Sequence, residues 1–181
     1  MKIIIVVGLP GAGKDTAAEF IKNEGIHYFA FSDVIKDEIR SRGMKDTLKN
    51  EEDIAKELRK SYGRDIIAQR TSEKIKNLQE DVTCLGGPRN IEELEYMKGF
   101  GEVILLVVEA DERTRYERVK ARGESRDPKT FEEFLWRQNK NYELGIGKVL
   151  KTKDFPKYVI SNNGTPDELK AQVIKFLKTI K

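Results

Sequence analysis

The chain has 181 residues, 38% of them hydrophobic and 36% charged, with a formal net charge of +3. This length implies one domain with small insertions and enough chain to bury a core. Lys and Arg are dispersed among Asp and Glu, which argues against a nucleic-acid partner and for small anionic ligands held by a few placed arginines, while no apolar run is long enough to span a bilayer.

Met1-Lys2-Ile3-Ile4-Ile5 runs directly into a strand, with no signal-peptide pattern. Ile3 to Val7 is a continuous β-branched run, as expected for a strand buried on both faces. Gly8-Leu9-Pro10-Gly11-Ala12-Gly13-Lys14 follows, and a helix carrying Ala17, Ala18 and Ile21 comes next. His27 to Phe31 reads as a second short strand, after which Ser32 or Asp33 caps a helix. Residues 33–80 form a polar, helix-prone insertion, with Asn50 as a candidate cap and Ile54, Leu58 and Tyr62 on one face.

Val82 to Leu85 is the third strand, broken by Gly86-Gly87-Pro88, and Asn90 with Glu93 makes a capping box. Val103 to Val108 is a second buried strand, Asp111 caps the next helix, and Gly123 stops it. A short loop, 123–129, precedes a Thr130/Glu133 capping box. Tyr158 to Ser161 is the last strand, and the closing helix carries Leu169, Val173, Phe176, Leu177 and Ile180 on one face. Alternating strands and helices predict an α/β fold with right-handed crossovers and a parallel sheet covered on both sides. The lone Cys84 excludes an internal disulfide framework and fits a reducing cytosol, and with His27 the single histidine, a zinc cluster or a Cys/His catalytic pair is not expected. His27 and Trp136 read as packing or surface residues.

Gly8 to Lys14 has the Gly-x4-Gly-Lys spacing that lets successive backbone N–H groups wrap a phosphate chain while the following helix points its positive end at it. Lys14 would reach the β- and γ-phosphates. The usual pattern continues with Ser or Thr as a magnesium ligand. Here Asp15 stands in that place and Thr16 follows. Asp15 reads either as a magnesium ligand, direct or through water, or as an acid complementing the helix dipole. Arg89 follows the third strand, where ligands of open parallel sheets bind, so it suits a second phosphate; a structural arginine at a helix start is the alternative.

Gly86-Gly87-Pro88-Arg89 resembles the tail of the Asp-Gly-Phe-Pro-Arg segment of nucleoside monophosphate kinases, adenylate kinase above all. Ser32-Asp33-Val34-Ile35-Lys36 resembles their Gly-Asp-x-x-Arg, and Glu117 to Arg122 their approach to the lid. The chain as a whole also resembles archaeal adenylate-kinase-related P-loop proteins of uncertain activity, with which it shares Ser-Asp-Val and Leu-Gly-Ile-Gly, here Leu144 to Gly147. Gly13 to Thr16 resembles phage deoxynucleoside monophosphate kinases as well.

The resemblance implies a P-loop NTPase three-layer fold with five parallel strands in the order 2-3-1-4-5. It implies ATP and Mg2+ as cofactors and a nucleoside or deoxynucleoside monophosphate as acceptor, in the cytoplasm. Gly8, Leu9, Pro10, Gly11, Ala12, Gly13, Lys14, Asp15 and Thr16 would then hold ATP with its metal, and Ser32, Asp33, Lys36, Gly87 and Arg89 the acceptor. Arg118 would pack on the ATP base, Asn162 and Gly164 belong to the loop that recognises adenine, and Arg122, Arg126 and Arg137 would act as lid arginines with Asp127 beside them. Leu85 occupies the place of the family's third-strand aspartate, and Lys36 that of an arginine. Asp33 reads equally as a helix cap and as a group that receives the acceptor proton or orients magnesium. A dephospho-coenzyme A kinase-like enzyme, or a nucleotide-binding regulator or slow NTPase without transfer, are the competing readings.

Overall fold

The computed structural model describes residues 1–124 and 127–180. Five parallel strands, β1 (Lys2–Val7), β2 (Tyr28–Ala30), β3 (Val82–Gly86), β4 (Glu102–Glu109) and β5 (Lys157–Ser161), lie in the order β2-β3-β1-β4-β5. This is the expected order. Strand β1 sits at the centre, with Ile5 opposite Leu85 on one side and Leu105 on the other.

Alternation along β1 divides the interior into two layers. Ile3, Ile5 and Val7 face a core completed by helices α2 (Phe31–Ser41), α3 (Leu48–Tyr62), α4 (Ile66–Ile75) and α5 (Ile91–Met97). Ile4 and Val6 face the opposite core, built from Ala17, Ala18 and Ile21 of α1 (Lys14–Asn23) and from the apolar stripe of α9 (Pro166–Ile180). All five stripe residues of α9 are buried. A third, smaller cluster packs Tyr116 and Val119 of α6 (Glu112–Arg122) on Phe134 of α7 (Phe131–Asn141). Among the described residues no helix is long and apolar enough to cross a membrane.

Several helix starts fall elsewhere than the sequence predicts. Ala30, not Ser32 or Asp33, is the N-cap of α2, and Asp33 acts from the third helical position, accepting a hydrogen bond from Ala30 N at 2.9 Å. Thr47 rather than Asn50 caps α3: its hydroxyl accepts from Asn50 N at 3.2 Å. Asp111 holds the cap position of α6 without a side-chain bond. Tyr62, expected on the buried face of α3, is exposed, since it sits in the last turn with the Arg70 guanidinium 5.9 Å from its ring centre. Asn90 and Thr130 cap as expected, accepting from Glu93 N at 3.0 Å and Glu133 N at 3.2 Å, but the two glutamates reach back one residue further, to Arg89 N and Lys129 N, so neither closes a reciprocal box; Thr165 and Glu168 do form one.

Between α7 and α8 (Gly147–Lys151) lies a π-helical turn, Tyr142–Ile146, which the sequence does not announce. Gly145 there has φ 147°, and a Cβ on it would overlap the Arg89 carbonyl oxygen. The turn is thereby seated on the loop after β3.

Candidate functional site

The glycine loop leaves the carboxyl end of β1 and closes on the first turn of α1. Its glycines are required by space as well as by dihedrals. Gly11 and Gly13 have φ 79° and 93°, a left-handed conformation that side chains resist. A Cβ on Gly8 would lie 2.7 Å from the Val108 carbonyl oxygen, one on Gly11 would overlap the Arg115 carbonyl, and one on Gly13 would overlap the Asn162 amide nitrogen. The cradle is therefore packed from below by the ends of β4, α6 and β5. Its upper side carries Lys14, whose Nζ pairs with Asp15 Oδ2 at 3.0 Å, and the exposed Thr16.

Asn162 stands just past β5. It donates through Nδ2 to the Ala12 carbonyl at 2.8 Å, and its backbone N–H donates to Glu109 O at 2.7 Å. Arg118 donates to the Asn162 carbonyl at 2.7 Å and to the Gly164 carbonyl at 3.4 Å. Arg118, Asn162 and Gly164 thus form one bonded corner beside the cradle.

Arg115 is a member of the site that sequence reasoning missed. Its side chain is 4% exposed, its Nε donates to Ala110 O at 3.0 Å, and its Nη1 to Pro10 O at 3.4 Å. The guanidinium lies 5.4 Å from the Phe134 ring centre, and Glu112 lies 4.0 Å away. Burial lowers its pKa, and the Glu112 charge opposes that shift. Only its spacing three residues after Glu112 was visible in the sequence, and nothing there marks burial.

Across the cleft, the β3 end delivers Gly87, at φ 79°, and Arg89. Lys14, Gly8, Gly87, Arg89, Asn141 and Ile146 line a common recess. Arg89 is ringed by protein yet open to solvent, as a side chain in a concave recess is. Crowding by protein depresses its pKa, the Arg59 charge adds to that, and Glu93, Glu52 and Glu51 oppose it. Glu93, fully buried, accepts from Arg89 N at 2.6 Å and from Arg59 Nη2 at 2.7 Å.

Tyr28 points its hydroxyl at Gly86. Its pKa is raised well above the usual value, first by burial and then by the charges of Asp15, Cys84 and Asp33. Asp33 keeps one oxygen on Ala30 N, so it starts its helix whatever else it does. Ser32 and Lys36 lie half-buried on α2. Leu85 is wholly buried, part of the core that contains Ile5 and Val7.

On the lid side, Arg122 Nε donates to Asp127 Oδ2 at 3.1 Å, and Glu124 lies 3.2 Å from the same atom. The Asp127 bond raises the Arg122 pKa. Arg137 donates to Glu133 at 2.5 Å. Arg126 lies outside the described residues. Among the described residues no three His, Cys, Asp or Glu gather as a metal cage. Asp15 and Thr16 could contribute one or two oxygens to a magnesium ion whose other ligands are phosphates and waters.

The chain is 34% identical to a UPF0200 protein of Sulfurisphaera tokodaii, covering 99% of this chain and 98% of that one. The chain belongs to the UPF0200 family. A UPF0200 protein of Hyperthermus butylicus is 31% identical over 98% of this chain and 94% of its own. Residues 4–140 also match an AAA domain, so the UPF0200 cradle is a P-loop of a nucleotide-binding class. Two solved structures share the fold. TT1252 from Thermus thermophilus has a TM-score of 0.67 at 18% identity, over 100% of this chain and 98% of that one. A sugar kinase from a Janibacter species has a TM-score of 0.57 at 16% identity, over 98% and 95%.

Proposed function

We propose that the protein transfers the γ-phosphoryl group of ATP to a small phosphorylated acceptor, most consistently a nucleoside or deoxynucleoside monophosphate. The observation that carries this reading is the shared recess of Lys14 and Arg89. One cation belongs to a triphosphate cradle, and the other faces it from a different strand end.

The cradle fits ATP because its glycines leave no room for side chains and its backbone N–H groups lead into the start of α1. Asp15 and Thr16 would hold magnesium, which neutralises charge on the phosphates. Lys14 binds the phosphate chain, Arg89 orients the acceptor phosphate, and the corner of Arg118, Asn162 and Gly164 receives the base. Arg122, Arg126 and Arg137 supply further positive charge as negative charge spreads over the transferred group. A phosphate acceptor is already nucleophilic, so no general base is needed and Asp33 is helpful only. Closure of α2–α4 and of the loop after Gly123 would exclude water.

One observation favours a second reading, a nucleotide-binding regulator or slow NTPase. The end of β3 carries the buried Leu85, with no carboxylate to order a metal-bound water. The deciding experiment is a coupled assay of ADP release from ATP with a panel of nucleoside and deoxynucleoside monophosphates and dephospho-coenzyme A. Stimulation by a monophosphate supports transfer, and stimulation by dephospho-coenzyme A alone moves the acceptor to a hydroxyl. Tight ATP binding without stimulation by any of them leaves only the regulator reading.

A further inference from the structure

The recess between the cradle and the loop after β3 has a third wall. Pro10 and Lys14 line one side, Gly87 and Arg89 the other, and Asn141 and Ile146 close it from α7 and the turn that follows. Asn141 is the last residue of α7. Phe134, Gln138 and Asn141 recur at the spacing of one helix face. That face turns inward: Phe134 and Gln138 are buried, while Trp136, Asn139 and Lys140 are exposed.

This wall is fastened at both ends. The Phe134 ring lies 5.4 Å from the Arg115 guanidinium, whose Nη1 donates to Pro10 O at 3.4 Å. Gln138 Nε2 donates to Glu112 at 2.9 Å. Beyond the helix, Gly145 lies against the Arg89 carbonyl, where a Cβ would overlap the oxygen. The segment that carries Asn141 is therefore held to the loop of Lys14 through Arg115 and to the loop of Arg89 through Gly145.

Asn141 is half-buried, and its side-chain amide makes no hydrogen bond to any described residue. An asparagine amide carries two donor hydrogens and no charge. An anion bound by both Lys14 and Arg89 lies in the same recess as that amide. The two cations supply charge, and a fixed neutral donor adds direction without the repulsion a carboxylate would bring.

We infer that Asn141 is a catalytic residue that donates a side-chain hydrogen bond to the γ-phosphate of ATP, so that the site tells a bound triphosphate from a diphosphate. The inference rests on the reading that the cradle holds ATP with its γ-phosphate towards Arg89. Its test needs no acceptor, so it can fail while phosphoryl transfer stands.

The probes are ADP and β,γ-methylene-ATP, whose γ-phosphate cannot be transferred, each titrated with magnesium into full-length protein. The side-chain amide signals of Asn141 are followed by nuclear magnetic resonance, and affinities by calorimetry. In wild-type protein the Asn141 amide should shift with β,γ-methylene-ATP and much less with ADP. Asn141→Ala should weaken the methylene analogue about tenfold and leave ADP affinity unchanged. Asn141→Asp keeps the size but repels the γ-phosphate, and should weaken the analogue further. Thermal unfolding establishes that both variants are folded; the wild-type amide shift reads the contact without either. If the analogue shifts the Arg89 Nε–H signal but leaves the Asn141 amide unmoved, and both variants bind it as wild-type does, Asn141 only lines the recess and the inference is wrong. If wild-type protein binds neither nucleotide, the reading of the cradle as an ATP site falls, and the inference with it.

Discussion

Asn162 and Gly13 are in direct contact: the amide nitrogen that donates to the Ala12 carbonyl at 2.8 Å occupies the space a Gly13 Cβ would need. This contact joins the end of β5 to the phosphate cradle at the far side of the sheet from β2. Gly13→Ala should abolish ATP binding in calorimetry, because it adds both a clash and a side chain at φ 93°. Asn162→Ala should leave the Ala12 carbonyl without its partner and lower unfolding stability by about 1–3 kcal/mol. Denaturant titration measures the second effect, and an unchanged midpoint would contradict it.

Arg115 should matter to the cradle although it stands behind it. Its bonds to Pro10 O and Ala110 O tie the loop to the start of α6. Arg115→Met keeps much of the buried volume against Phe134 and removes the donors. The expected result is weaker ATP binding and a lower Tm, with the loss of binding larger than that of Arg113→Met on the exposed face of the same helix. Equal ATP affinity for the two variants would show that the cradle holds itself.

Asp15 pairs with Lys14 at 3.0 Å, so its carboxylate stands beside the lysine of the glycine loop. Asp15→Asn should reduce turnover strongly and raise the magnesium concentration needed for half-maximal activity. A variant with an unaltered magnesium titration would leave Asp15 as a residue complementing the helix dipole.

Glu38 braces the acceptor-side helices, accepting from Arg70 at 2.7 Å and from Arg42 at 2.8 Å. The Arg70 hydrogen bond, with that from Arg42, holds its carboxyl below the usual 4.5. A depressed folded pKa means the contribution is fully present above that unfolded value and is lost as pH falls through the folded one. Glu38→Gln should therefore lower stability at pH 7 by about 1 kcal/mol or less and flatten the acid limb of the stability curve below about pH 4.5. Parallel acid limbs for the two proteins would contradict this.

Much of this architecture is legible in the sequence because it rests on periodicity and on the loop's spacing. Ile3 to Val7 can only be a buried strand, and Gly8 to Lys14 has one common use. Helix starts are less legible. A side chain three residues into a helix can close it as well as one at the cap, and both Asp33 and Asn50 lie at that position. Arg59 and Arg115 carry no local signal, since an arginine in a charged helix reads as a solvated face until the tertiary partner, Glu93 or Pro10, is known. The turn at Tyr142–Ile146 escaped for the same reason: Gly145 is a glycine because the Arg89 carbonyl is there, 56 residues away in sequence.

The central claim is that the phosphoryl group leaves ATP for a second nucleotide rather than for water. The direct measurement is phosphorus magnetic resonance of a reaction containing protein, magnesium, ATP and the monophosphate that most stimulates ADP release. The account predicts a new β-phosphate resonance from the acceptor, growing in step with ADP and absent with Arg89→Ala. Growth of inorganic phosphate alone, in step with ADP and with the acceptor unchanged, would contradict it.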